Sequence, residues 1–577
     1  MNKRRHNCSL ITLLLSLVAP LSIGATGAVP AVGNSRPAEV PLNLFTPATT
    51  WTYAGGWEYP GAKGDFHLQQ DEQKPVGALS YDFTGGGVYV SASTDVAIPT
   101  GYRQIRFRIK AAQRAQAALR LIDVTGQVHQ YPEDYTRPGE WQQFQIAMDS
   151  ASLEHYAGVN DGIVHFPVQK LSLLAEKGTG PLTGRLEFAV ISAAEPTDYV
   201  LMGQAAVKDL LRHFWTDTTV LAWKPQGHVL PTYAGYANPK PPDQRGILWE
   251  RATFISVLEN YYETTKDPGA RQRLAQDWAW EKGLFSLPEL TGCGGGSQNP
   301  ACDDAGWSAV MYLNIYRATA DPAALACAKA LFMHAYDRWA DGKFGGGLSY
   351  QDDRKSKASY QVALILAGLR VYEITGDKTC WDRALALYNW AEKHLLRPDG
   401  LYWCVIDENG PQRMQGALRE ASADTFLAGN MGMGIIQARL YRDTHELAYR
   451  LSAFRTADAI LAHETDGKGC FLDDRDSFAN GYFMGDWVRE VLTLPGIKRD
   501  HADLVKQTAL AIWMRDRTAS GFYGGCWNGP TVGHECPWYR PDLPLSSGQH
   551  TMPDQIMVSS SAVNIIAAAA QLQALGL

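Results

Sequence analysis

A short motif that recurs in the C-terminal half of the chain constrains the fold more than any other feature. It has the form Tyr-x-x-Thr-x-Asp, begins at Tyr262, Tyr316 and Tyr372, and has a weaker copy at Tyr441, so the copies recur at similar intervals. Each copy ends an apolar helical stretch and precedes another helix. Because a unit of two helices cannot bury its apolar face alone, successive hairpins are expected to pack side by side.

Segments that combine glycine with aromatic residues are interleaved with these motifs at similar spacing. They lie at 344–347, 399–403, 467–471 and 521–525. Alternate helix ends therefore carry Thr-x-Asp turns and glycine-aromatic loops. About 330 residues at ~55 per hairpin give roughly six hairpins, which predicts an all-α (α/α)6 toroid over residues 246–577 rather than an open solenoid. The glycine-aromatic loops are expected to line one mouth of this toroid.

The N-terminal part of the chain has a different periodicity. Apolar and polar residues alternate at 104–110, 144–148 and 186–190, which predicts short strands without intervening helices. This pattern favours an all-β sandwich or jelly-roll domain over residues 40–195, acting as a carbohydrate-binding or accessory module. The proline-rich stretch 196–245 is predicted to be a connector with one short helix, which makes the chain multidomain.

Residues 1–28 have the order of a secretory signal peptide. A basic Lys3-Arg4-Arg5 precedes an apolar run at 10–23 and small residues through Ala28. A secreted or periplasmic location is therefore expected, with a retained anchor as the alternative. No later segment has the ~18 unbroken apolar residues typical of a membrane-spanning helix.

Composition narrows the classes of partner. The net charge of −7 gives no strong attraction to nucleic acid or to an anionic membrane. The 17 tryptophans and 26 tyrosines are an unusual share for a chain of average hydrophobicity, which indicates aromatic surface that faces something other than core.

Cysteine spacing suggests two local disulfides, because secretion permits them. The candidate pairs are Cys293–Cys302, around a glycine-rich loop, and Cys526–Cys536. Cys327 and Cys380 lie in helical runs and are interpreted as buried thiols.

Candidate chemistry lies in Asp303-Asp304-Ala305-Gly306-Trp307, which opens a predicted helix. One interpretation is structural, because aspartates at a helix start cap free N–H groups and suit the positive end of the dipole. The other is a catalytic pair, with one carboxylate ionised and the other protonated. Two carboxyls ~5 Å apart repel by roughly 3 kcal/mol at an effective dielectric constant of ~20, enough to separate an acid from a base.

The Asp-Asp-x-Gly-Trp helix start, followed by Tyr-x-x-Thr-x-Asp and Gly345-Gly346-Gly347-Leu348, resembles glycoside hydrolase family 76, which contains secreted endo-α-1,6-mannanases. The similarity runs from about Leu248 to Ala570. It implies an (α/α)6 barrel and a retaining mechanism, with Asp303 as nucleophile and Asp304 as acid/base. The sequence departs from the family at Leu348-Ser349-Tyr350, where members typically have Ile-Trp-Trp, and at 427–431, so another α-linked glycan is a possible substrate.

The remaining candidates are side chains that suit a sugar-binding cleft, since aromatic rings stack on the C–H face of a pyranose. Core packing is the alternative for each aromatic residue among them. The predicted substrate-binding residues are Trp307, Tyr350, Gln351, Trp403, Asn430, Tyr523 and Trp527.

The predicted function is hydrolysis of an α-linked, α-1,6-mannan-like polysaccharide or oligosaccharide without a cofactor or a metal site. Two alternatives remain open at this point: a sugar epimerase or isomerase on the same barrel type, and a carbohydrate-binding protein that has lost catalysis. In the β-domain, Trp51, Trp57, Tyr131 and Trp141 are candidates for sugar binding, for core packing or for docking on the barrel.

Overall fold

The fold is described from a computed structural model. It describes residues 39–71, 74–98, 101–135, 137–148, 154–178, 180–215, 248–284, 301–358, 361–412, 427–466, 469–472, 480–518, 521–525, 527 and 556–577. The predicted signal peptide, the Cys526–Cys536 pair and most of the predicted connector lie outside these residues.

Residues 39–194 form a β-sandwich, which confirms the predicted all-β domain. The two sheets are antiparallel, and alternate residues such as Phe107 and Phe144 meet in the core between them, with ring centroids 5.5 Å apart. The strands are β1 (Glu39–Pro41), β2 (Thr52–Ala54), β3 (Phe66–Asp71), β4 (Lys74–Asp82), β5 (Tyr89–Asp95), β6 (Gln104–Lys110), β7 (Ala115–Asp123), β8 (Val128–Tyr135), β9 (Gln142–Ala147), β10 (Glu154–Tyr156), β11 (Val168–Glu176) and β12 (Thr183–Ala194).

Strand order differs between the two sheets. The first sheet has the order β3-β4-β12-β6-β9, with β1 also paired to β12, and the second has the order β10-β8-β7-β11-β5-β2. The sheets therefore interleave strands that are distant in sequence, as β12 does between β4 and β6.

The rest of the described chain is helical apart from a small sheet of β13 (Lys357–Ala358), β14 (Val405–Asp407) and β15 (Gly410–Gln412). The helices are α1 (Tyr199–Phe214), α2 (Leu248–Thr265), α3 (Pro268–Leu284), α4 (Cys302–Thr319), α5 (Pro322–Trp339), α6 (Val362–Thr375), α7 (Lys378–His394), α8 (Leu427–Thr444), α9 (Leu447–His463), α10 (Met484–Glu490), α11 (Asp500–Ala511) and α12 (Ile556–Leu575).

Within the described residues, six helices form a closed inner ring. Neighbours pack in the order α2, α4, α6, α8, α10 and α12, and α12 packs against α2 again. Inner helices are buried on all sides, as in α6, where every residue from Val362 to Val371 is buried. The other helices lie outside the ring, so the predicted (α/α)6 fold is confirmed. The outer helix α1, which packs against α12, comes from the stretch predicted as a connector.

The recurring Thr-x-Asp turns have one geometry. In each, the threonine hydroxyl donates to the carbonyl four residues earlier and accepts the N–H of the acidic residue two positions later, at 3.2 Å. The residue between them has the left-handed backbone conformation that commonly ends a helix. The threonines are Thr265, Thr319, Thr375 and Thr444.

The acidic residue of the turn begins the next helix. Asp321 accepts the Ala323 N–H at 2.9 Å, and Asp377 accepts the Thr379 N–H at 2.9 Å. In the fourth copy glutamate takes the place of aspartate, and Glu446 makes no side-chain hydrogen bond to the helix that it precedes.

At the opposite end of the barrel, outer helices run into short hairpins that contain the glycine-aromatic segments. The glycines allow close packing: Gly347 has a φ of 73°, and a Cβ there would lie 2.6 Å from the ring of Trp390. The paired residues are Ala340 with Leu348, Leu396 with Tyr402, and Thr465 with Phe471.

Side chains from the beginnings of inner helices hold three of these glycine-aromatic segments. Each accepts a backbone N–H, so the loops are fixed to the same barrel end at which the inner helices begin. The bonds run from Leu348 to Gln361 Oε1 (3.2 Å), from Tyr402 to Asn430 Oδ1 (2.9 Å) and from Tyr523 to Ser559 Oγ (3.1 Å).

Buried ion pairs join the inner helices near the end that carries the Thr-x-Asp turns. Arg317 of α4 donates to Glu259 of α2 at 2.6 Å, and Arg489 of α10 donates to Glu259 at 3.1 Å and to Asp486 at 2.8 Å. Removing one partner would leave a buried charge uncompensated, so these pairs fix three inner helices relative to one another.

One helix is long and apolar enough to be a candidate membrane span. This is α12, but 94% of its apolar 18-residue stretch is buried inside the domain, as expected of a core helix. The test covers the described residues only.

We predict that Asp321→Ala lowers the stability of the barrel by about 2 kcal/mol, because it removes a helix cap and the acceptor of a 2.8 Å bond from the buried Trp278 indole. The measurement is the midpoint of thermal unfolding. Asp337→Ala on the same helix is the control, since the Asp337–Arg383 pair is exposed at Asp337 and is worth about 1 kcal/mol or less. Equal midpoints for the two variants would contradict the prediction.

Candidate active site

The two candidate catalytic aspartates lie in the first turn of α4. Ala301 precedes the helix in extended conformation and gives it no side-chain cap. The Cys302 N–H donates to the Tyr350 carbonyl at 2.9 Å, and Ala301 pairs with Gln351 in an antiparallel bridge. The beginning of α4 is therefore fixed against the segment at 349–351, and the backbones of the predicted Tyr350 and Gln351 lie beside Asp303 and Asp304.

Both carboxyls are shifted toward the protonated form. Burial raises the pKa of Asp303 to about 6, although backbone N–H groups and the Trp307 indole act to lower it. Burial and the negative charge of Asp303 raise the pKa of Asp304 to about 8. Near pH 7 the pair therefore favours an ionised Asp303 beside a protonated Asp304.

These shifts distinguish the pair from helix-capping aspartates. At the start of α7, Asp377 bonds to Lys329 and to the Thr379 N–H, and both interactions lower its pKa. Asp303 and Asp304 occupy a comparable place on α4, where the helix dipole also favours the charged form, yet their pKa values are raised. Perturbation against the local dipole is typical of functional carboxyls rather than structural ones.

One oxygen of the pair is left without a partner. Asp303 Oδ1 is shielded from solvent and has no hydrogen-bond partner among the described residues. A buried carboxylate oxygen of this kind is costly in a purely structural role and is available for reaction with a bound molecule.

Packing explains both the glycine and the tryptophan of the Asp-Asp-x-Gly-Trp motif. A Cβ on Gly306 would lie 2.9 Å from Ala363 Cβ, so only glycine lets α4 and α6 approach this closely. Trp307 is 7% exposed and packs against Tyr482, with ring centroids 4.7 Å apart and planes at 89°. Tyr482 also donates its hydroxyl to the Trp307 carbonyl at 3.0 Å, so the indole that acts on Asp303 is held firmly.

The other predicted substrate-binding residues divide by environment. Trp403 is half-buried beneath the Arg397 guanidinium, 4.7 Å from its ring. Trp527 is buried, and its indole nitrogen has no hydrogen-bond partner among the described residues. Asn430 and Tyr523 are buried and make the loop bonds described above, and the Tyr523 hydroxyl donates to Asp209 at 3.1 Å.

One residue that positions a loop at this end of the barrel, Lys357, was not predicted from the sequence. Lys357 has a fully buried side chain, and its ammonium donates to Asp341 at 2.8 Å and to the Gly347 carbonyl at 2.9 Å. Asp341 also accepts the Ser349 hydroxyl at 2.6 Å. Lys357 therefore fixes the glycine-rich loop next to the segment that carries Tyr350. A lone lysine outside any motif gives no hint of this in sequence.

The predicted disulfide Cys293–Cys302 is wrong. Cys302 is a free, fully buried thiol whose N–H and neighbours fix the start of α4. Cys380 is a buried free thiol as expected, whereas Cys327 is buried but disulfide-bonded. Cys293 lies outside the described residues.

Hydrolysis of a glycosidic bond typically uses two carboxyls, one ionised and one protonated, and Asp303 and Asp304 favour these two states near neutral pH. The family comparison is specific. The model of Glycosyl hydrolase family 76 matches residues 203–563, which is more than half of the chain. The chain belongs to this family.

Solved structures resemble the chain at low identity. The α-1,6-mannanase GH76A from Salegentibacter sp. HEL1_6 is 19% identical over 65% of this chain and 100% of that chain, with a TM-score of 0.50. An inactive variant of that mannanase, with two consecutive aspartates replaced by alanine, was solved with α-1,6-mannotetrose and is 18% identical over 65% of this chain and 100% of that chain, also with a TM-score of 0.50. These likenesses show the fold. No curated protein sequence matches the chain.

We predict that Asp303→Asn lowers the pKa of Asp304, because the substitution removes one of the two causes of its rise. The measurement is a ¹³C NMR titration of protein labelled at aspartate carboxyls, with Asp304 assigned through Asp304→Asn. Asp353→Asn is the control, since Asp353 pairs with Lys355 at the surface. An Asp304 pKa that is unchanged in Asp303→Asn would show that the two carboxyls do not interact.

Proposed function

We propose that the protein is a retaining glycoside hydrolase that cleaves α-1,6-mannan-like polysaccharide by a two-aspartate mechanism. The observation that carries this proposal is the placement of two adjacent carboxyls, Asp303 and Asp304, in the first turn of α4, with Asp303 Oδ1 shielded from solvent and without a hydrogen-bond partner among the described residues. The raised pKa values of both carboxyls support it. Family membership supports hydrolysis of a glycosidic bond as the reaction.

Asp303 is proposed as the nucleophile. Its free Oδ1 attacks the anomeric carbon while the bond from that carbon to the glycosidic oxygen breaks, which leaves a glycosyl ester on the enzyme. Trp307 and the N–H groups of the first helical turn stabilise the carboxylate before attack.

Asp304 is proposed as the acid/base. Its proton passes to the departing glycosidic oxygen, and the resulting carboxylate then takes a proton from the water that hydrolyses the ester. Asp304 is therefore protonated again at the end of the cycle, and two inversions at the anomeric carbon retain its configuration.

The identity of the glycan rests on weaker support than the reaction. The mannanase of similar fold was solved with α-1,6-linked mannooligosaccharide, which makes this linkage the first to test. In this chain Ser349 and Tyr350 occupy the place where family members typically have two tryptophans. This difference lies next to the start of α4 and favours a test of related α-glycans in parallel.

Family membership argues against the sugar epimerase alternative. The catalytically inactive alternative has no support at Asp303 and Asp304, since both carboxyls are present and perturbed. We also propose that the protein acts outside the cytoplasm, because residues 1–28 have the order of a signal peptide.

The pH dependence of hydrolysis is predicted to be bell-shaped. Below about pH 6 Asp303 becomes protonated and cannot attack, and above about pH 8 Asp304 has lost the proton it donates. Initial rates of reducing-end release between pH 4 and 10 measure this profile. A rate that rises steadily through pH 9 would exclude Asp304 as the acid.

Asp303→Asn and Asp304→Asn are each expected to lower kcat/KM by at least about 10³-fold while leaving the unfolding midpoint near that of the wild type. The assay is a panel of α-1,6-mannan, branched α-mannan and α-1,6-glucan, with oligosaccharide products separated by chromatography. Asp353→Asn is the matched control and should retain full activity. Undiminished hydrolysis by either variant of the pair would remove that residue from the mechanism.

A further inference from the structure

Aromatic and charged side chains form a cluster on the outer face of the second sheet of the sandwich. Leu119 and Leu173 face the core, and the alternation along β7 and β11 places Arg120 and Glu176 on the opposite face. Leu174 lies on this outer face as well. It is buried although it does not belong to the core between the sheets, so longer side chains of the outer face cover it.

Arg120 lies at the centre of this face between two tyrosines. Its guanidinium carbon is 5.1 Å from the ring centroid of Tyr89 and 5.9 Å from that of Tyr156. Arg120 donates two bonds to Gln130 Oε1, at 2.6 and 3.0 Å. Strands β5, β7, β8 and β10 thus each contribute one residue to a group of aromatic and polar side chains on this face, and Arg120 and Gln130 are direct register partners of β7 and β8.

Carboxylates accept hydrogen bonds from this group of side chains. Gln130 Nε2 donates to Glu154 at 2.8 Å and to Glu176 at 3.0 Å, and the Tyr89 hydroxyl donates to Glu58 at 2.7 Å. Burial, with the nearby Glu154, raises the pKa of Glu176 to about 7. Trp57, next to Glu58 in the chain, has 85% of its surface exposed.

We propose that this face is a glycan-binding groove, formed by Trp57, Tyr89, Arg120, Gln130, Tyr156 and Glu176. Rings that are exposed on one side offer stacking surfaces for pyranose C–H groups. Amide, guanidinium and carboxylate groups held together on one face suit the paired hydroxyls of a sugar. Arg120 is surrounded by Glu58, Glu154 and Glu176, so the groove disfavours nucleic acid and anionic lipid and selects a neutral polymer.

The position of the groove relates it to the barrel. Gln130 and Glu154 also line a cleft at the junction with the barrel, together with Gln507 and Arg515. Cys470, from a glycine-aromatic hairpin, lines the same cleft, which places it toward the barrel end that carries the catalytic pair. A polysaccharide held on the sheet would therefore lie close to the catalytic mouth. That consequence rests on the proposed function, whereas glycan binding itself does not.

Affinity electrophoresis of the full chain tests the groove. The Asp303→Asn/Asp304→Asn background prevents digestion of the gel, which contains α-1,6-mannan, branched α-mannan, α-1,6-glucan or mixed-linkage β-glucan. Trp57→Ala, Arg120→Ala and Tyr156→Ala are each expected to weaken retardation about two- to tenfold. The control is Arg185→Ala on the other sheet, where Arg185 is exposed and pairs with Glu187 at 3.1 Å.

Either of two electrophoresis results would overturn the proposed groove: a parent protein that none of the four polysaccharides retards, or groove variants that migrate like Arg185→Ala. A second readout uses the active enzyme, in which groove variants should lose activity on polymer and keep it on tetrasaccharide. Equal loss on both would also contradict the proposal. Failure of hydrolysis in every assay would remove the proposed reaction and leave the electrophoresis result standing.

Discussion

The inner helices of the barrel are buried around their whole circumference, and this single property determines the rest of the architecture. A helix such as α6, buried at every position from Val362 to Val371, has to be surrounded by protein. Six such helices satisfy that requirement only when the ring closes, which α12 achieves by packing on α2. The closed ring has two different ends: one carries the tight Thr-x-Asp turns, and the other carries the longer loops.

The proposed catalytic pair lies at the barrel end that carries the glycine-aromatic segments. Inner helices begin at this end, so the first turn of α4 places Asp303 and Asp304 there, and backbone N–H groups of that turn act on the Asp303 carboxyl. Burial raises both pKa values, and the contacts made only by Asp303 keep it the stronger acid of the two. The start of α4 is fixed against the segment at 349–351, and Gln361, Asn430 and Ser559 anchor three glycine-aromatic segments at the same end of the barrel.

The sequence was sufficient for features that repeat or that have local causes. The Thr-x-Asp spacing predicted the barrel, and Asp-Asp-x-Gly-Trp predicted the candidate pair, because both depend on hydrogen bonds and packing within a few residues. Long-range partners were not predictable. The outer helix α1 packs on α12, the last helix of the chain, and nothing in the pattern of α1 identifies that neighbour. Cys302 was assigned to a disulfide from spacing alone, although it is a buried free thiol. Similarly, Asn430 was predicted to bind substrate, and its observed bond to the Tyr402 N–H depends on a hairpin that precedes its own helix.

The central claim is that Asp303 attacks the anomeric carbon directly. The most direct test is ¹H NMR of the first anomer released from an α-1,6-linked mannooligosaccharide, recorded before mutarotation. Direct attack followed by hydrolysis predicts that the α-anomer forms first. Initial release of the β-anomer would contradict the account, because it would mean that water, and not Asp303, attacks the sugar.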